Sequence, residues 1–258
     1  MHQITSNLNK AKREPENIPR VLAELPESLG ETYERTLRGI AEAKWKFAHR
    51  MFQFVSVASR PLRVEELTEL LAFDFEAGSI PKFHEDWRLE DPVDAILSTC
   101  STLLAIVDDR GSPVIKFSHS SVKKFLTSMR LAESTDIISR RNHVSMTPVH
   151  TLVAQACLGI LLHLDEDVTS DGLKDFPLVE YAAEHWVDHA RFEDVSRYVE
   201  DGMKQLFDPS RPHLAICVWI CDPAALLGAY IPLWTSSSSS AHRMCALETP
   251  ATTQPHCI

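Results

Sequence analysis

The chain has 258 residues, of which 44% are hydrophobic and 24% are charged, which is ordinary for one or two globular domains. Its formal net charge of −10 gives no long-range attraction to the phosphate backbones of nucleic acids. Eight glycines and few runs of β-branched residues argue against an all-β fold. Composition therefore predicts a mainly α protein.

The start of the chain and its cysteines bear on its location. Residues 1–20 lack the apolar core of a signal peptide, and the six cysteines follow no spacing typical of a secreted disulfide framework. Leu152–Leu164 is too short to span a membrane, and Leu214–Trp234 is interrupted by Asp222 and Pro223. We therefore expect a cytoplasmic protein with reduced thiols and no membrane partner.

Residues 1–42 are predicted to form linker helices. Apolar residues recur at helical spacing over residues 18–25, just before a proline. Ser28 and Glu31 then have the spacing of a capping box, which predicts the start of a second helix.

Residues 43–130 are predicted to fold as a winged-helix domain. Apolar residues indicate a helix from Trp45 to Ala58, and an amphipathic helix begins at Val64 after a short break. A loop is expected over residues 74–90, and Pro92 suits the first position of a third helix.

A β-hairpin follows the third predicted helix. Leu103–Val107 and Val114–Phe117 are short apolar strands separated by a polar turn at residues 108–112. His119 comes directly after the second strand, and residues 120–121 open a further helix. Three helices, a hairpin wing and a fourth helix together predict a winged helix.

The remainder is predicted to be a helical bundle over residues 131–223 and a disordered or degenerate tail over residues 224–258. Val149–Leu164 is apolar almost all round, which indicates a buried central helix. Phe176–Phe192 carries an apolar stripe that includes Trp186 and predicts core packing for this indole. The tail contains a serine tract and lacks apolar periodicity.

The sequence lacks the motifs of common catalytic sites. No glycine is followed by lysine, so a P-loop is absent, and no Gly-x-Ser-x-Gly nucleophile elbow occurs. His185 and His189 have a spacing that can bind zinc, but no third ligand is evident. Cys217 and Cys221 fit neither a redox pair nor a zinc knuckle and are predicted to be buried thiols. We therefore predict no enzyme activity, no catalytic residue, no metal and no cofactor.

DNA recognition is also disfavoured. The second helix of the predicted helix-turn-helix, Val64–Ala72, contains three glutamates and no arginine or asparagine that could read bases. Arg60 and Arg63 lie only in the turn before it. No nucleic-acid partner is expected.

A group of longer segments points to a known family. In chain order these are Leu25–Arg35, Ala58–Leu67, Cys100–Leu104, Phe117–Leu126 and Tyr181–Ala190. Together they resemble fungal NACHT-type signal-transduction NTPases of the STAND class, often those carrying ankyrin repeats, over residues 25–223. The resemblance implies the winged-helix and helical region that follows the NACHT nucleotide-binding domain. The chain lacks the NACHT core and the Thr-Pro-Leu-His repeat, so neither nucleotide hydrolysis nor ankyrin-type binding is implied.

The resemblance gives His119 a role. In STAND proteins a winged-helix histidine placed between a strand and a helix senses the phosphate of bound ADP, and His119 is similar to it in position. The alternative is a structural histidine buried at the base of the wing. We expect a non-catalytic regulatory or interaction module whose protein partner is a nucleotide-binding or repeat domain. The alternative at this level is a truncated structural remnant without independent activity.

The isolated chain should neither bind nor hydrolyse ATP or GTP, because no loop in it can surround a phosphate with backbone amides and a lysine. Isothermal titration calorimetry checks this prediction. Saturable binding at micromolar nucleotide concentrations would contradict it.

Overall fold

The computed structural model describes residues 29–165 and 167–221. The predicted helix over residues 18–25, the Ser28 side of the capping box and the predicted disordered tail over residues 224–258 lie outside the described residues.

The first half of the described chain is a winged helix preceded by one helix. Its elements are α1 (Leu29–Arg38), α2 (Glu42–Val57), β1 (Leu62–Arg63), α3 (Val64–Leu71), β2 (Phe73–Asp74), β3 (Lys82–Phe83), a 3-10 turn (Glu85–Trp87), α4 (Pro92–Cys100), β4 (Leu104–Asp109), β5 (Ser112–Phe117) and α5 (Ser120–Leu126). Asp91 caps α4 by accepting a hydrogen bond from the Asp94 amide, and Pro92 occupies its first turn as expected. The predicted winged helix is confirmed.

The wing belongs to a three-stranded antiparallel sheet with the order β1-β5-β4. Leu62 pairs with Ile115, and Leu104 pairs with Phe117. At the hairpin tip Arg110 and Gly111 both adopt positive φ, of 56° and 89°, which is typical of tight hairpin turns. The sequence analysis missed β1, because two residues after a proline give no period-2 signal.

The predicted loop over residues 74–90 contains ordered structure. Phe73 pairs with Phe83 in a two-residue ladder, and a 3-10 turn follows. The rings of Phe73 and Phe83 lie 5.2 Å apart, so this small ladder extends the core.

The second half of the described chain is helical. Its elements are α6 (Met129–Ala132), α7 (Ile137–Arg140), α8 (Met146–His163), a 3-10 turn (Gly172–Asp175), α9 (Leu178–Ala190), a 3-10 turn (Glu193–Tyr198), α10 (Glu200–Leu206) and α11 (His213–Cys221). The predicted buried central helix is α8, and the predicted stripe helix is α9.

Helix α8 is the centre of the core. It contacts α2 and β3 of the winged helix, and α9, α10 and α11 of the helical half. One continuous cluster of buried apolar side chains runs through both halves. A Cβ on Gly159 would lie 3.0 Å from the Phe73 ring, so this glycine lets α8 approach the winged helix closely.

The length and composition of α8 have a second consequence. With 18 residues it is longer than the apolar stretch read from the sequence, and it is the one described helix long and apolar enough to cross a membrane by those criteria alone. Half of its residues, nine of the 18, are nevertheless buried in the protein core. The core helix of a soluble protein passes the same test.

Buried ion pairs on α3 hold the two halves together. Glu66 is fully buried and accepts two hydrogen bonds from the Arg60 guanidinium, at 2.7 and 2.8 Å. It also accepts from the backbone and side chain of Arg63, at 2.7 and 2.9 Å. Arg63 then bridges to Glu180 on α9 at 2.8 Å. The carboxylate is thus fully compensated, as a buried charge must be.

A second buried carboxylate on α3 makes a similar connection. Glu69 accepts a 2.6 Å hydrogen bond from the Leu178 amide at the start of α9, and another from Arg88. Arg88 also donates to the Asp175 carbonyl at 2.6 Å. Burial raises the pKa of Glu69, against the lowering effect of these donors. Glu69 joins α3 to the start of α9 directly, and Glu66 does so through Arg63. We call the buried bonds between α3 and the start of α9 the seam.

A buried chain of hydrogen bonds completes the seam. The Ser59 amide donates to the Tyr181 hydroxyl at 3.1 Å. The same hydroxyl lies 2.8 Å from Nε2 of His189. On the other side of that ring, Nδ1 of His189 lies 3.0 Å from Nδ1 of His150. If each group donates along this direction, Tyr181 donates to His189 and His189 donates to His150. This arrangement satisfies the Tyr181 hydroxyl and both ring nitrogens of a neutral His189. Burial lowers the pKa of His189 to about 4.

Replacing Trp186 with alanine should lower the free energy of unfolding by about 3–5 kcal/mol, as is typical of a large core side chain. Its indole is only 7% exposed and packs against Phe207. Trp87→Ala is the matched control, because Trp87 is 48% exposed and its loss should cost less than about 1 kcal/mol. Urea denaturation measures the free energy of unfolding of both variants. A loss for Trp186→Ala as small as that for Trp87→Ala would show that α9 is peripheral.

Acidification should destabilise the protein through His189. The unfolded state takes up a proton near pH 6.5 and the folded state only near pH 4, so stability is complete above about pH 7 and falls as the pH drops through this window. Between pH 8 and pH 5 this residue should account for about 2 kcal/mol. His189→Gln should be less stable at pH 8 but lose less on acidification.

Urea midpoints at both pH values test this prediction, with His119→Gln as the control because His119 is exposed. The control should lose as much stability on acidification as the unmodified protein. An unchanged acid sensitivity in His189→Gln would show that other groups are responsible.

Candidate functional site

The position of His119 is fixed by the end of the wing. After β5 ends, the Ser118 amide donates to the Leu103 carbonyl at 2.9 Å, and the Ser118 hydroxyl donates to the Thr102 carbonyl at 2.8 Å. These bonds hold the turn between sheet and helix, so His119 becomes the N-cap residue of α5. Its backbone is extended, with φ −150° and ψ 146°.

The local contacts of His119 define which ring nitrogen carries the proton. Nδ1 accepts a hydrogen bond from the Ser121 amide at 3.2 Å and lies against the Ser121 hydroxyl. That hydroxyl is 2.7 Å from the hydroxyl of Tyr33 on α1. Because Nδ1 accepts from a backbone N–H, the neutral ring carries its proton on Nε2.

The Nε2 side of His119 is available to another molecule. The residue is exposed, and Nε2 forms no hydrogen bond with any residue in the described ranges. The alternative of a histidine buried under the wing therefore does not fit the structure. An exposed N–H donor on a fixed ring can bind an acceptor such as a phosphate oxygen.

An exposed apolar surface lies beside the helix that anchors this ring. Helix α1 packs against α5 and α7, and α6 lies between these two in the chain. Four large apolar side chains on these helices are exposed, by 54%, 65%, 69% and 37%, and we term them the α1–α7 face: Leu29, Met129, Ile137 and Ile138. Large exposed apolar side chains are a common feature of interaction surfaces in soluble proteins.

Ion pairs fix the helices that carry the α1–α7 face. Arg38 on α1 donates to Asp136 at 2.9 Å, and Arg130 on α6 donates to Glu34 on α1 at 3.1 Å. Asp136 also caps α7 through the Ile138 and Ser139 amides. The short helices α6 and α7 are thus held against α1.

The histidine and cysteine pairs noted in the sequence do not come together as a site. His189 is buried in the hydrogen-bonded chain, and His185 contacts Asp188 at 3.1 Å on the surface side of α9. No group of three or more His, Cys, Asp or Glu residues in the described ranges could hold a metal ion. Cys217 is buried, but the prediction of burial was wrong for Cys221, which is exposed at the end of α11.

The helix compared above with a DNA-reading helix has a different role. Glu66 and Glu69 of α3 are buried in the seam, so this helix cannot enter a groove of DNA. In the winged helix the element that precedes the wing hairpin is α4, which contains no lysine or arginine. The comparison with a DNA-reading helix therefore belongs to α4 rather than α3, as the order of the predicted elements already indicated.

The residues that sequence reasoning missed are Tyr33 and Ser121, which orient His119. They are 88 positions apart in the chain, and no local pattern connects them. Glu66 could have been found, since it is the third residue of α3, where a glutamate accepts a hydrogen bond from the N-cap amide, here that of Arg63.

Comparisons with known proteins agree with the winged helix. A family profile described as the winged-helix domain of GPI inositol-deacylase matches residues 33–137. The azaphilone pigments biosynthesis cluster protein L of Monascus ruber is 30% identical over 217 residues. That match covers 78% of this chain but 44% of the Monascus protein, so the chain spans less than half the length of that relative. No solved structure matches significantly.

Neither match carries the name of a NACHT or STAND protein, so that part of the resemblance stays a prediction, as do its ankyrin and signalling associations. What the family profile and the fold agree on is the domain. The chain is a mainly helical protein that contains a winged-helix domain similar to that of GPI inositol-deacylases and shares this region with a fungal biosynthesis-cluster protein.

Proposed function

We propose that this chain is a non-catalytic regulatory module that docks on a NACHT-type nucleotide-binding domain supplied by another chain, and that His119 contacts the diphosphate of the nucleotide bound there. The module acts in the cytoplasm and takes neither nucleic acid nor membrane as its partner. The observation that carries this proposal is the exposed His119 ring with its Nε2–H donor directed away from its own bonds.

The surroundings of His119 support a docking role. The α1–α7 face offers exposed apolar side chains on helices that are linked to the ring through Tyr33 and Ser121. A partner that buries this face would stand beside the imidazole. Burial of such a surface contributes to association in proportion to its apolar area.

The seam supports a relay role. Helices α1 and α5 belong to a body whose two halves share one apolar core and are joined at two buried carboxylates. A displacement of either helix would therefore displace both halves. Such a body moves as a unit rather than deforming locally. The contact with the partner would thereby be transmitted to the helical half.

The charge distribution and thiols support the remaining parts of the proposal. The net charge of −10 and the lack of lysine and arginine in α4 disfavour a nucleic-acid partner. Cys100, Cys157 and Cys217 are buried free thiols, which suits a reducing compartment.

When the chain is joined to a NACHT domain from a related protein, His119→Ala should weaken ADP retention by about tenfold or more, because a hydrogen bond to a charged group is lost. Tyr33→Phe should have a smaller effect, since the Ser121 amide still holds Nδ1. Dissociation of a fluorescent ADP measures the change.

His143→Ala serves as the matched histidine control, and circular dichroism verifies that each variant is folded. Unchanged ADP affinity in folded His119→Ala would contradict the sensor role. Failure of the unmodified chain to associate with the NACHT domain in gel filtration would contradict the docking role, and would favour the structural-remnant alternative.

A further inference from the structure

A second apolar surface lies on α4, the helix that precedes the wing hairpin. Its buried side carries Ile96 and Cys100, which are 0% and 4% exposed. Its outer side carries Val93 and Leu97, which are one helical turn apart and 41% and 38% exposed. Both outer side chains are therefore partly open to solvent.

The turn before α4 extends this apolar surface. Trp87 is 48% exposed, and one face of its indole stacks on His84 at 4.3 Å. An exposed tryptophan is a common anchor of interaction sites, since aromatic residues contribute most to protein interfaces. We call Trp87, Val93 and Leu97 together the α4 face.

The rim of the α4 face carries one sign of charge. Five exposed acidic residues lie within the ten positions from 85 to 94 and form no ion pair with any described residue: Glu85, Asp86, Glu90, Asp91 and Asp94. The single basic residue of this segment, Arg88, is directed inward to Glu69 and the Asp175 carbonyl. Lys44 on α2 donates to the Ser98 hydroxyl of α4 at 3.1 Å, and no ion pair within the described residues neutralises these carboxylates.

From this geometry we infer that the α4 face binds a basic amphipathic helix of a partner protein. Its apolar stripe packs on Trp87, Val93 and Leu97, and its flanking lysines or arginines pair with the acidic rim. Such helices bind grooves and faces through residues at positions i, i+3, i+4 and i+7. The same rim repels nucleic acid and anionic membrane surfaces, whose charge is negative.

This inference goes beyond the proposed function, because the α4 face shares no residue with the α1–α7 face or with His119. The two can therefore fail separately. Substitutions in the α1–α7 face should weaken docking on the nucleotide-binding domain and leave peptide binding at α4 intact. Substitutions in the α4 face should weaken peptide binding and leave that docking intact.

The test uses the full chain and a fluorescent 18-residue helical peptide built from leucine and lysine, with leucines on one face. Fluorescence anisotropy should show saturable binding that weakens as salt is raised. Val93→Ser combined with Leu97→Ser should weaken it about tenfold, as expected for removal of interface anchors. Glu90→Gln combined with Asp94→Asn should weaken it and reduce its salt dependence.

Two controls separate specific docking from attraction to a negatively charged protein. Met129→Ser combined with Ile137→Ser removes a comparable exposed apolar pair elsewhere and should leave the affinity unchanged. A lysine–serine peptide of equal charge should bind far more weakly than the leucine–lysine peptide. Equal affinity of the peptide for the unmodified chain and for folded Val93→Ser/Leu97→Ser protein would overturn the inference, and so would equal binding of the lysine–serine peptide.

Discussion

The arrangement of the two halves depends on two carboxylates buried on one short helix. Glu66 and Glu69 lie on α3, which has only eight residues, and both reach partners that belong to or contact the start of α9. Loss of Arg88 would leave the buried Glu69 carboxylate with the Leu178 amide but no ion-pair partner, which is strongly destabilising. Since the ion pairs have strict geometry, they define one position for the helical half on the winged helix, while the apolar core supplies the bulk of the burial energy.

This scaffold supports the binding role proposed above. The buried carboxylates Glu66 and Glu69 are bound by arginines, and the buried ring of His189 is bound by Tyr181 and His150. What remains at the surface of the described chain is an oriented imidazole at His119 and two apolar faces on different helices. A rigid body that carries separate contact surfaces has the properties of an adaptor between partners.

Much of the fold could be predicted from the sequence because its signals are local. The wing strands, the central helix α8 and the core position of Trp186 follow from apolar runs and helical periodicity. The position of His119 between strand and helix follows from its place after an apolar strand and before two serines. Local patterns failed where elements are very short, as in β1, and at Cys221, where the end of α11 leaves the thiol exposed.

The sequence by itself determined the helical class, the wing and the absence of a P-loop motif, since these depend on residue types and short spacings. Only the tertiary structure decided what the polar residues do. It turned the glutamates of α3 inward, left α4 with an open apolar face, and set the ring of His119 through Ser121 and the distant Tyr33. The physical reason is that a buried charge or an oriented imidazole requires partners from other parts of the chain, and hydrophobic periodicity carries no information about those partners.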